Sequence, residues 1–322
     1  MASWLSALVA HTAPAVLVTV AHAEGSVPRR SGAKMLVTTE ARFDTIGGGH
    51  LELQACGIAR AMLASGATRA LRRFALGPGL GQCCGGVAYL AFERVEPGST
   101  AITAMQLAAV ERRDVWRVVD LDGEHTGVFE NLNNAPFEIA ASLPCRIVEQ
   151  NSHRWLIDPC TLPRAQLMLF GAGHVGSAIV RALADLPCRV SWVDAREELF
   201  AAAVPENVTV EATDTPEALI DAAPPGTDFL VMTHSHALDM LLSEAILKRA
   251  DTGWFGLIGS HTKRSQFEHR LRERGVDAKR IAAMVCPIGI PGISDKAPAA
   301  IAAAVVAQLL QVWEVQHPYQ SR

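Results

Sequence analysis

The sequence carries no excess of positive charge and few charged residues of either sign. Its 322 residues include 29 Lys or Arg and 33 Asp or Glu, so the formal net charge is −4. A general nucleic-acid-binding protein presents a basic surface, so this balance argues against that class. Charged residues make up 19% of the chain and hydrophobic residues 49%, which argues against long disordered segments. A chain of this length is expected to form about two domains.

The apolar segment near the N-terminus lacks the charge that accompanies a targeting signal. Residues 4–23 contain no Asp, Glu, Lys or Arg, and no Lys or Arg precedes them. A signal peptide starts with a positively charged region, so the segment does not fit one. A membrane span of about 20 apolar residues is also disfavoured, because Pro14 interrupts the segment and His11 would have to be buried. We predict a short helix at 3–11, a buried strand Ala15–Ala21, no membrane association and a cytoplasmic location.

The cysteines do not fit a disulfide-stabilised secreted domain, because seven is an odd number and they are spread over a long chain. A reducing compartment is therefore expected. Cys83 and Cys84 are adjacent in the segment Gly77–Gly86, which holds five of the 25 glycines. Accessible thiols in such a loop suit a soft or high-valent metal, persulfide transfer or redox switching, although two incidental thiols would give the same pattern. The other five are predicted to be structural: Cys56, Cys145, Cys160, Cys188 and Cys286.

The two halves of the chain differ in their pattern of apolar residues. Residues 1–160 contain short predicted strands and one clear helix after the glycines at 47–49, which predicts an α+β domain. The strands predicted in this half are Ala15–Ala21, Lys34–Thr39, Thr68–Leu76, Val87–Glu93, Val115–Leu121, Arg146–Glu149 and Trp155–Ile157. Residues 161–322 alternate apolar strands with helices, a pattern typical of a Rossmann-like, doubly wound parallel sheet in an α/β domain. The strands predicted in the second half are Gln166–Phe170, Arg189–Asp194, Val208–Glu211, Asp228–Thr233, Trp254–Ile258 and Ala283–Cys286. The predicted helices include Ser177–Leu186, Ser235–Ala250, Lys263–Gly275 and Ala297–Val315.

The first strand of the second half ends in a dinucleotide-binding pattern. Gly171, Gly173 and Gly176 form GxGxxG between an apolar strand and a helix, and Asp194 ends the next strand. These glycines permit a tight turn, a close approach of the backbone to a pyrophosphate, and close packing of helix on strand. Asp194 could bind a ribose and favours NAD over NADP, although the nearby Arg196 weakens that preference. A Rossmann-like domain that has lost nucleotide binding, or that binds another phosphate ligand, stays open.

Histidines are also expected at the carboxyl ends of these strands, where such sheets bind ligands. His174 lies within the glycine pattern, and His234 and His236 follow the strand Asp228–Thr233. We predict that they border a ligand crevice. A metal site is disfavoured, because a metal needs a further ligand and a supporting shell.

Two segments of the first half are predicted to bind an anion. The loop at 25–35 is basic and contains glycine, which suits a phosphate or a carboxylate. Its positive residues are Arg29, Arg30 and Lys34. Three glycines open the predicted helix, whose N-terminus favours an anion: Gly47, Gly48 and Gly49. A solvated loop and a helix cap that uses Glu52 are the structural alternatives for these two segments.

Taken together, these segments resemble the XdhC/CoxI family, in the same order and over nearly the whole chain. The matching stretches are GSVPRRSGAKM (25–35), TIGGGHLE (45–52), GPGLGQCCGG (77–86), FGAGHVG (170–176), WVDAR (192–196), THSH (233–236), GLIGSHTKR (256–264) and CPIGIPGI (286–293). The resemblance implies an XdhC/CoxI domain at 1–160 followed by a Rossmann-like domain at 161–322.

The resemblance implies an accessory chaperone more than a free-standing enzyme. Such a protein binds molybdenum cofactor, supports its sulfuration and delivers it to xanthine dehydrogenase, and it is expected to be a homodimer that meets a cysteine desulfurase. Gln82, Cys83 and Cys84 carry the resemblance most firmly, and either cysteine is expected to contact molybdenum or pass sulfur. The basic loop and the glycine-rich turns are expected to take the phosphate and pterin of the cofactor.

The alternative function is an NAD-dependent oxidoreductase that uses the Rossmann-like domain. The glycine pattern and Asp194 favour it. Against it, the sequence contains no Tyr-x-x-x-Lys pair to donate a proton and only two tyrosines. The resemblance leaves open whether the second domain binds NAD, the pterin or nothing.

Overall fold

The structure is a computed structural model that describes residues 3–77, 85–111, 113–135, 144–160 and 165–317. These residues fall into two compact units, one made of the residues up to 160 and the other of residues 165–317. The two are called the N-terminal unit and the Rossmann unit below.

The N-terminal unit is built around an antiparallel sheet in which the described strands run in the order β3-β2-β1-β5-β4. The strands are β1 (Ala15–Glu24), β2 (Lys34–Val37), β3 (Arg42–Asp44), β4 (Arg69–Ala75) and β5 (Val87–Val95). Alternate residues of β1 and β5, such as Val18 and Phe92, face the apolar side of helix α2 (Gly49–Ser65). The opposite face packs partly on helix α1 (Ser3–Ala10).

A second antiparallel sheet packs on that opposite face within the same unit. Its described strands run in the order β7-β6-β9-β8. They are β6 (Val115–Asp120), β7 (Thr126–Phe129), β8 (Arg146–Gln150) and β9 (His153–Cys160), and helix α3 (Thr100–Val110) precedes them. Ala21 and Ala91 of the first sheet share one apolar cluster with Val119 and Leu156 of the second. The unit is therefore a two-sheet α+β structure.

A buried ionic cluster also joins the two sheets. The Arg117 guanidinium, from the second sheet, donates to Asp158 Oδ2 at 2.9 Å, to Thr19 Oγ1 at 3.1 Å and to the Glu93 carboxylate. The Lys34 ammonium donates to the other oxygen of Asp158 at 2.7 Å. Buried charges are tolerated only when they are paired and hydrogen-bonded, as they are here. Arg117 therefore ties together strands of both sheets.

The Rossmann unit contains a parallel sheet with the described strands in the order β12-β11-β10-β13-β14. The strands are β10 (Ala165–Phe170), β11 (Cys188–Asp194), β12 (Val208–Ala212), β13 (Asp228–Val231) and β14 (Phe255–Leu257). The helices are α4 (His174–Ala182), α5 (Pro216–Ala222), α6 (His236–Lys248), α7 (His261–Glu273), α8 (Ala278–Ala283) and α9 (Pro298–Gln316). The chain order reverses between β10 and β13, as in a doubly wound sheet. This confirms the predicted fold class.

Helix α9 belongs to the core of the Rossmann unit on one side of the sheet. Ala302, Val305, Leu309 and Trp313 are buried there. The helix is long and apolar enough to pass a length-and-composition test for a membrane span, and among the described residues it alone does so. A core helix of a globular domain passes the same test.

The structure differs from the sequence prediction at several short elements. Helices α3, α5 and α8 and strands β3 and β7 were not predicted. The predicted strand Ala283–Cys286 is wrong, because Ala283 ends α8 and only Val285 forms a single bridge, to Gly256. Asp277 caps α8 through Lys279 N at 2.9 Å, and the helix that it starts ends at Ala283, the first residue of the predicted strand.

Candidate functional site

The antiparallel register of the first sheet brings three of the predicted segments to one end. Glu24 at the end of β1 pairs with Val87 at the start of β5, which pairs with Ala75 at the end of β4. Met35, next to the start of β2, pairs with Asp44 at the end of β3. We call this end of the sheet the loop end. The segments that leave the sheet there are the basic loop at 25–33, the glycine turn at 45–48 and the chain on either side of 78–84.

The glycines of the loop end let these segments pack against each other. A Cβ on Gly47, whose φ is +128°, would lie within 3 Å of the ring of Pro28 in the basic loop. A Cβ on Gly86 would lie within 3 Å of the carbonyl oxygens of Glu24 and Ser26, and Gly86 N donates to Ser26 O at 3.0 Å. Glycine is required at 86 because the backbones approach closely, and at 47 because of its positive φ and the nearby Pro28 ring. The three segments therefore meet as one surface.

Glu52 holds the glycine turn in place. Its Oε1 accepts from Ile46 N at 3.0 Å, from Gly48 N at 2.8 Å and from the Thr45 hydroxyl, while Arg42 lies 3.1 Å from Oε2. Burial alone would raise the pKa of Glu52, but these hydrogen bonds and the Arg42 charge outweigh it, so the pKa lies below its usual value. The predicted anion-binding turn thus already holds a carboxylate of the protein itself.

The three basic residues predicted for this loop lie in different environments. Arg29 and Arg30 are exposed, and Arg29 makes no hydrogen bond or ion pair with the described residues. Lys34 is instead largely buried, and it donates to Asp158 and to Gly32 O at 3.0 Å. Burial would lower the pKa of Lys34, but the Asp158 charge outweighs it and the pKa is raised. Lys34 therefore stays charged inside the unit and fixes the base of the loop.

The predicted residues Gln82, Cys83 and Cys84 lie outside the described residues. The chain on either side of them is fixed at the loop end, because Leu76 N donates to Gly86 O at 2.8 Å. The five cysteines predicted to be structural are buried or half-buried. Burial raises the pKa of Cys160 and of Cys188 to about 11, so these thiols are protonated at neutral pH.

In the Rossmann unit, the glycine loop follows β10 and opens α4 at the carboxyl edge of the sheet. A Cβ on Gly171 would lie within 3 Å of Met232 O, and one on Gly176 within 3 Å of Gly171 O. A Cβ on the exposed Gly173 would meet nothing within 4 Å. The fold itself therefore requires glycine at 171 and 176, while position 173 faces open space.

Asp194 is engaged by the protein's own donors at this edge. Its carboxylate accepts from Ala172 N at 2.7 Å, from Arg196 N at 3.0 Å and from two atoms of the Arg196 guanidinium at 2.8 and 2.9 Å. Burial would raise the pKa of Asp194, but these donors outweigh it and lower the pKa to about 2. The Arg196 guanidinium thus pairs with the carboxylate that is predicted to bind a ribose.

The histidines predicted for the same edge are exposed, namely His174, His234 and His236. In the ranges that the structure describes, no group of three or more His, Cys, Asp or Glu could hold a metal ion. Sequence reasoning missed a buried pair beside them, in which Lys263 donates to Asp239 at 2.6 Å and to Ile258 O at 2.8 Å. It also missed Arg117, whose signal was a lone cation within the apolar strand β6.

Comparison with known families places both units. The model described as the XdhC and CoxI family matches residues 8–75, and the model described as the XdhC Rossmann domain matches residues 167–309. The chain belongs to the XdhC/CoxI family. Between them, the two XdhC models cover the loop end up to Ala75 and the glycine loop of the Rossmann unit.

Two further proteins are similar to this chain. An Escherichia coli protein named Uncharacterized protein YqeB is 34% identical over 155 residues, which is 46% of this chain and 27% of that protein. The chain thus aligns with about a quarter of that curated relative. A crystal structure described as a xanthine dehydrogenase from Bacillus halodurans matches with a TM-score of 0.76 and 19% identity. It covers 100% of this chain and 98% of that chain, and at this identity it supports the fold alone.

Proposed function

We propose that the protein is an accessory chaperone that binds molybdenum cofactor at the loop end of the N-terminal unit. It supports sulfuration of the cofactor and hands it to xanthine dehydrogenase. The observation that carries this proposal is the convergence of the basic loop, the glycine turn and the ends of the segment around Cys83 and Cys84. The family assignment supports the same accessory role.

The loop end offers suitable chemistry for an anionic cargo. Arg29 and Arg30 are exposed cations that can pair with the phosphate of the cofactor. Glu52 does not oppose this, because its charge is held by backbone donors and by Arg42. Cys83 or Cys84 can ligate molybdenum as a thiolate or carry a sulfur atom as a persulfide. Lys34 supports the basic loop, because its ammonium donates a hydrogen bond to the Gly32 carbonyl.

The proposal implies three protein contacts. Xanthine dehydrogenase receives the cofactor, a cysteine desulfurase supplies the sulfur, and a second copy of the chain completes a homodimer. All three would take place in the cytoplasm, where a reduced cysteine pair persists.

The test is cofactor loading in a host that makes molybdenum cofactor. Protein purified from it should carry molybdenum and phosphorus near one per subunit, and Arg29→Gln should lower both. The matched control is Arg60→Gln, because Arg60 is exposed on α2 about 16 Å along the helix from its start. Equal loading of both variants would remove Arg29 from the site.

The cysteine pair is tested by transfer of cofactor to apo xanthine dehydrogenase. The double variant Cys83→Ala, Cys84→Ala should lose sulfuration or transfer while it keeps its fold. Unchanged loading, sulfuration and transfer in this variant would exclude both cysteines from the mechanism.

A nucleotide-binding function of the Rossmann unit is the second candidate, and the open position at Gly173 favours it. The exposed N-terminus of α4 could receive a pyrophosphate there. NADH fluorescence titration tests this, and hydride transfer to a substrate would be needed for an NAD-dependent oxidoreductase. No change in NADH fluorescence on saturation with the protein would reject NADH binding and, with it, the oxidoreductase.

A further inference from the structure

A bulge in β1 turns His22 toward the face of the first sheet that carries Tyr89. Val20 pairs with Leu90 and then His22 pairs with Tyr89, so Ala21 is the extra residue. On a regular strand His22 would lie on the same face as Val20, which packs toward α2. Bulges of this kind re-aim side chains and are common beside functional sites.

His22, Tyr89 and Arg73 form a row across three neighbouring strands, β1, β5 and β4. The rings of His22 and Tyr89 are 5.6 Å apart between centroids and tilted by 45°, and Tyr89 pairs with Arg73 in the register. The row lies on the face that also carries Ala91 and Leu71. Strands are about 4.8 Å apart, so the row is about 10 Å long.

This row is accessible and near the loop end. The side chain of His22 is 49% exposed, Arg73 is exposed and Tyr89 is half-buried. Arg73 makes no hydrogen bond or ion pair with any part of the chain that the structure describes. His22 lies three residues before Gly25, and Tyr89 lies three residues after Gly86. The row is therefore about 10 Å along each strand from the loop end.

The charges around the row select the kind of ligand. His22 lies 3.5 Å from Glu24, whose side chain is exposed, so an anion placed over the ring would meet a carboxylate. A flat, uncharged ring avoids that repulsion and can stack on the aromatic side chains. The planar guanidinium of Arg73 could then donate hydrogen bonds to ring oxygen or nitrogen atoms.

We propose that the row of His22, Tyr89 and Arg73 is the platform on which the pterin ring of the cofactor stacks. This rests on the proposed function, since it assigns the ring to the row and leaves the phosphate to the exposed arginines of the basic loop. Tyr89 supplies stacking area, the bulge brings the imidazole of His22 beside it, and Arg73 fixes the orientation of the ring.

The test uses a free pterin without metal or phosphate, 6-hydroxymethylpterin, followed by quenching of its fluorescence. The full-length protein should quench it, Tyr89→Phe should keep the quenching, and Tyr89→Leu should weaken binding about tenfold. Arg73→Gln should weaken binding as well. Arg72→Gln is the matched control, because Arg72 is the next exposed arginine of β4 and points to the other face.

Two readouts separate this proposal from the chaperone function. The platform proposal is wrong if Arg72→Gln and Arg73→Gln bind the free pterin equally and Tyr89→Leu binds it as tightly as Tyr89→Phe. This conclusion would hold even if molybdenum loading is normal. If the row variants alone lose pterin binding but wild-type protein never carries molybdenum, the platform stands and the chaperone function fails. Melting temperatures show whether Tyr89→Leu folds, and the arginine pair decides the matter if it does not.

Discussion

The glycine turn before α2 and the glycine loop before α4 are stabilised in the same way but differ in backbone conformation. In each, a carboxylate accepts backbone N–H groups and pairs with an arginine: Glu52 with Arg42, and Asp194 with Arg196. The turn before α2 has positive φ at all three glycines and closes on Pro28. In the loop before α4, a Cβ would clash at Gly171 and Gly176. Gly48 and Gly173 both face open space, but Gly48 has a φ of +75° whereas Gly173 has a φ of −70°, which any residue adopts. The two helix starts therefore differ in how far the backbone conformation itself demands glycine.

The comparison predicts the largest effect at Gly176. Gly176→Ala puts a methyl group against the Gly171 carbonyl, which is backbone and cannot give way without moving β10 or α4. We expect a loss of about 3 kcal/mol or more in the free energy of unfolding of the Rossmann unit. Denaturant unfolding followed by circular dichroism measures this loss. A loss smaller than that of Gly47→Ala would contradict the expected order of the two effects.

A smaller loss is expected at Gly47 in the N-terminal unit. Gly47→Ala combines a φ of +128° with a clash against the ring of Pro28, and we expect about 2 kcal/mol. Cofactor loading should fall too, because the turn and the basic loop would separate. A double variant Gly47→Ala, Pro28→Ala should recover part of the stability; if it recovers none, the clash with Pro28 is not the cause.

The two carboxylates predict acid sensitivity in both units. The pKa of Glu52 and of Asp194 is lower in the folded protein than the ordinary values of 4.5 and 3.8. Their contribution is therefore complete above about pH 5. That of Asp194 is lost as the pH falls through its folded pKa of about 2, and that of Glu52 as the pH falls through its lowered pKa. Glu52→Gln and Asp194→Asn should each cost about 1 kcal/mol at pH 7 and flatten the pH dependence. Unfolding curves from pH 7 to pH 2 measure this, and an unchanged slope in both variants would contradict it.

The smallest effect on stability is expected at Gly173. Its φ of −70° suits any residue and a Cβ would meet nothing, so Gly173→Ala should change stability by less than about 0.5 kcal/mol. If the Rossmann unit binds a dinucleotide, the same change should weaken NADH binding severalfold. A clear loss of stability would show that the position is closed in solution.

The sequence predicts the Rossmann unit better than the N-terminal unit, and the reason lies in their contacts. Parallel strands buried on both faces are continuous apolar runs, as at Leu167–Phe170, and the glycine loop marks where they begin. Strand β3 is three residues long and half exposed, and α3 carries no charged residue, so neither shows a clear period. Short elements of this kind form because neighbouring elements pack against them. That packing leaves no pattern in the local sequence.

The candidate site was predictable in its parts but not in its arrangement. Each segment of the loop end stands out by glycine or charge, yet their meeting depends on strand register. Lys34 shows the limit most clearly, because its partner Asp158 is 124 residues away in the sequence. In the sequence, a cation near glycines suggests a ligand-binding group. Only the structure shows that this cation is paired with a buried carboxylate. The bulge at Ala21, which decides where His22 points, leaves no mark in the apolar pattern either.

The buried guanidinium of Arg117 has a consequence for how the N-terminal unit comes apart. Its partners Thr19, Glu93 and Asp158 lie on β1, β5 and β9, so separating the two sheets breaks several charged hydrogen bonds at once. A partly open state that leaves one of these charges buried without its partner is strongly disfavoured. The two sheets should melt as one cooperative unit, with coincident transitions for tryptophan fluorescence in the second sheet and circular dichroism of the whole unit.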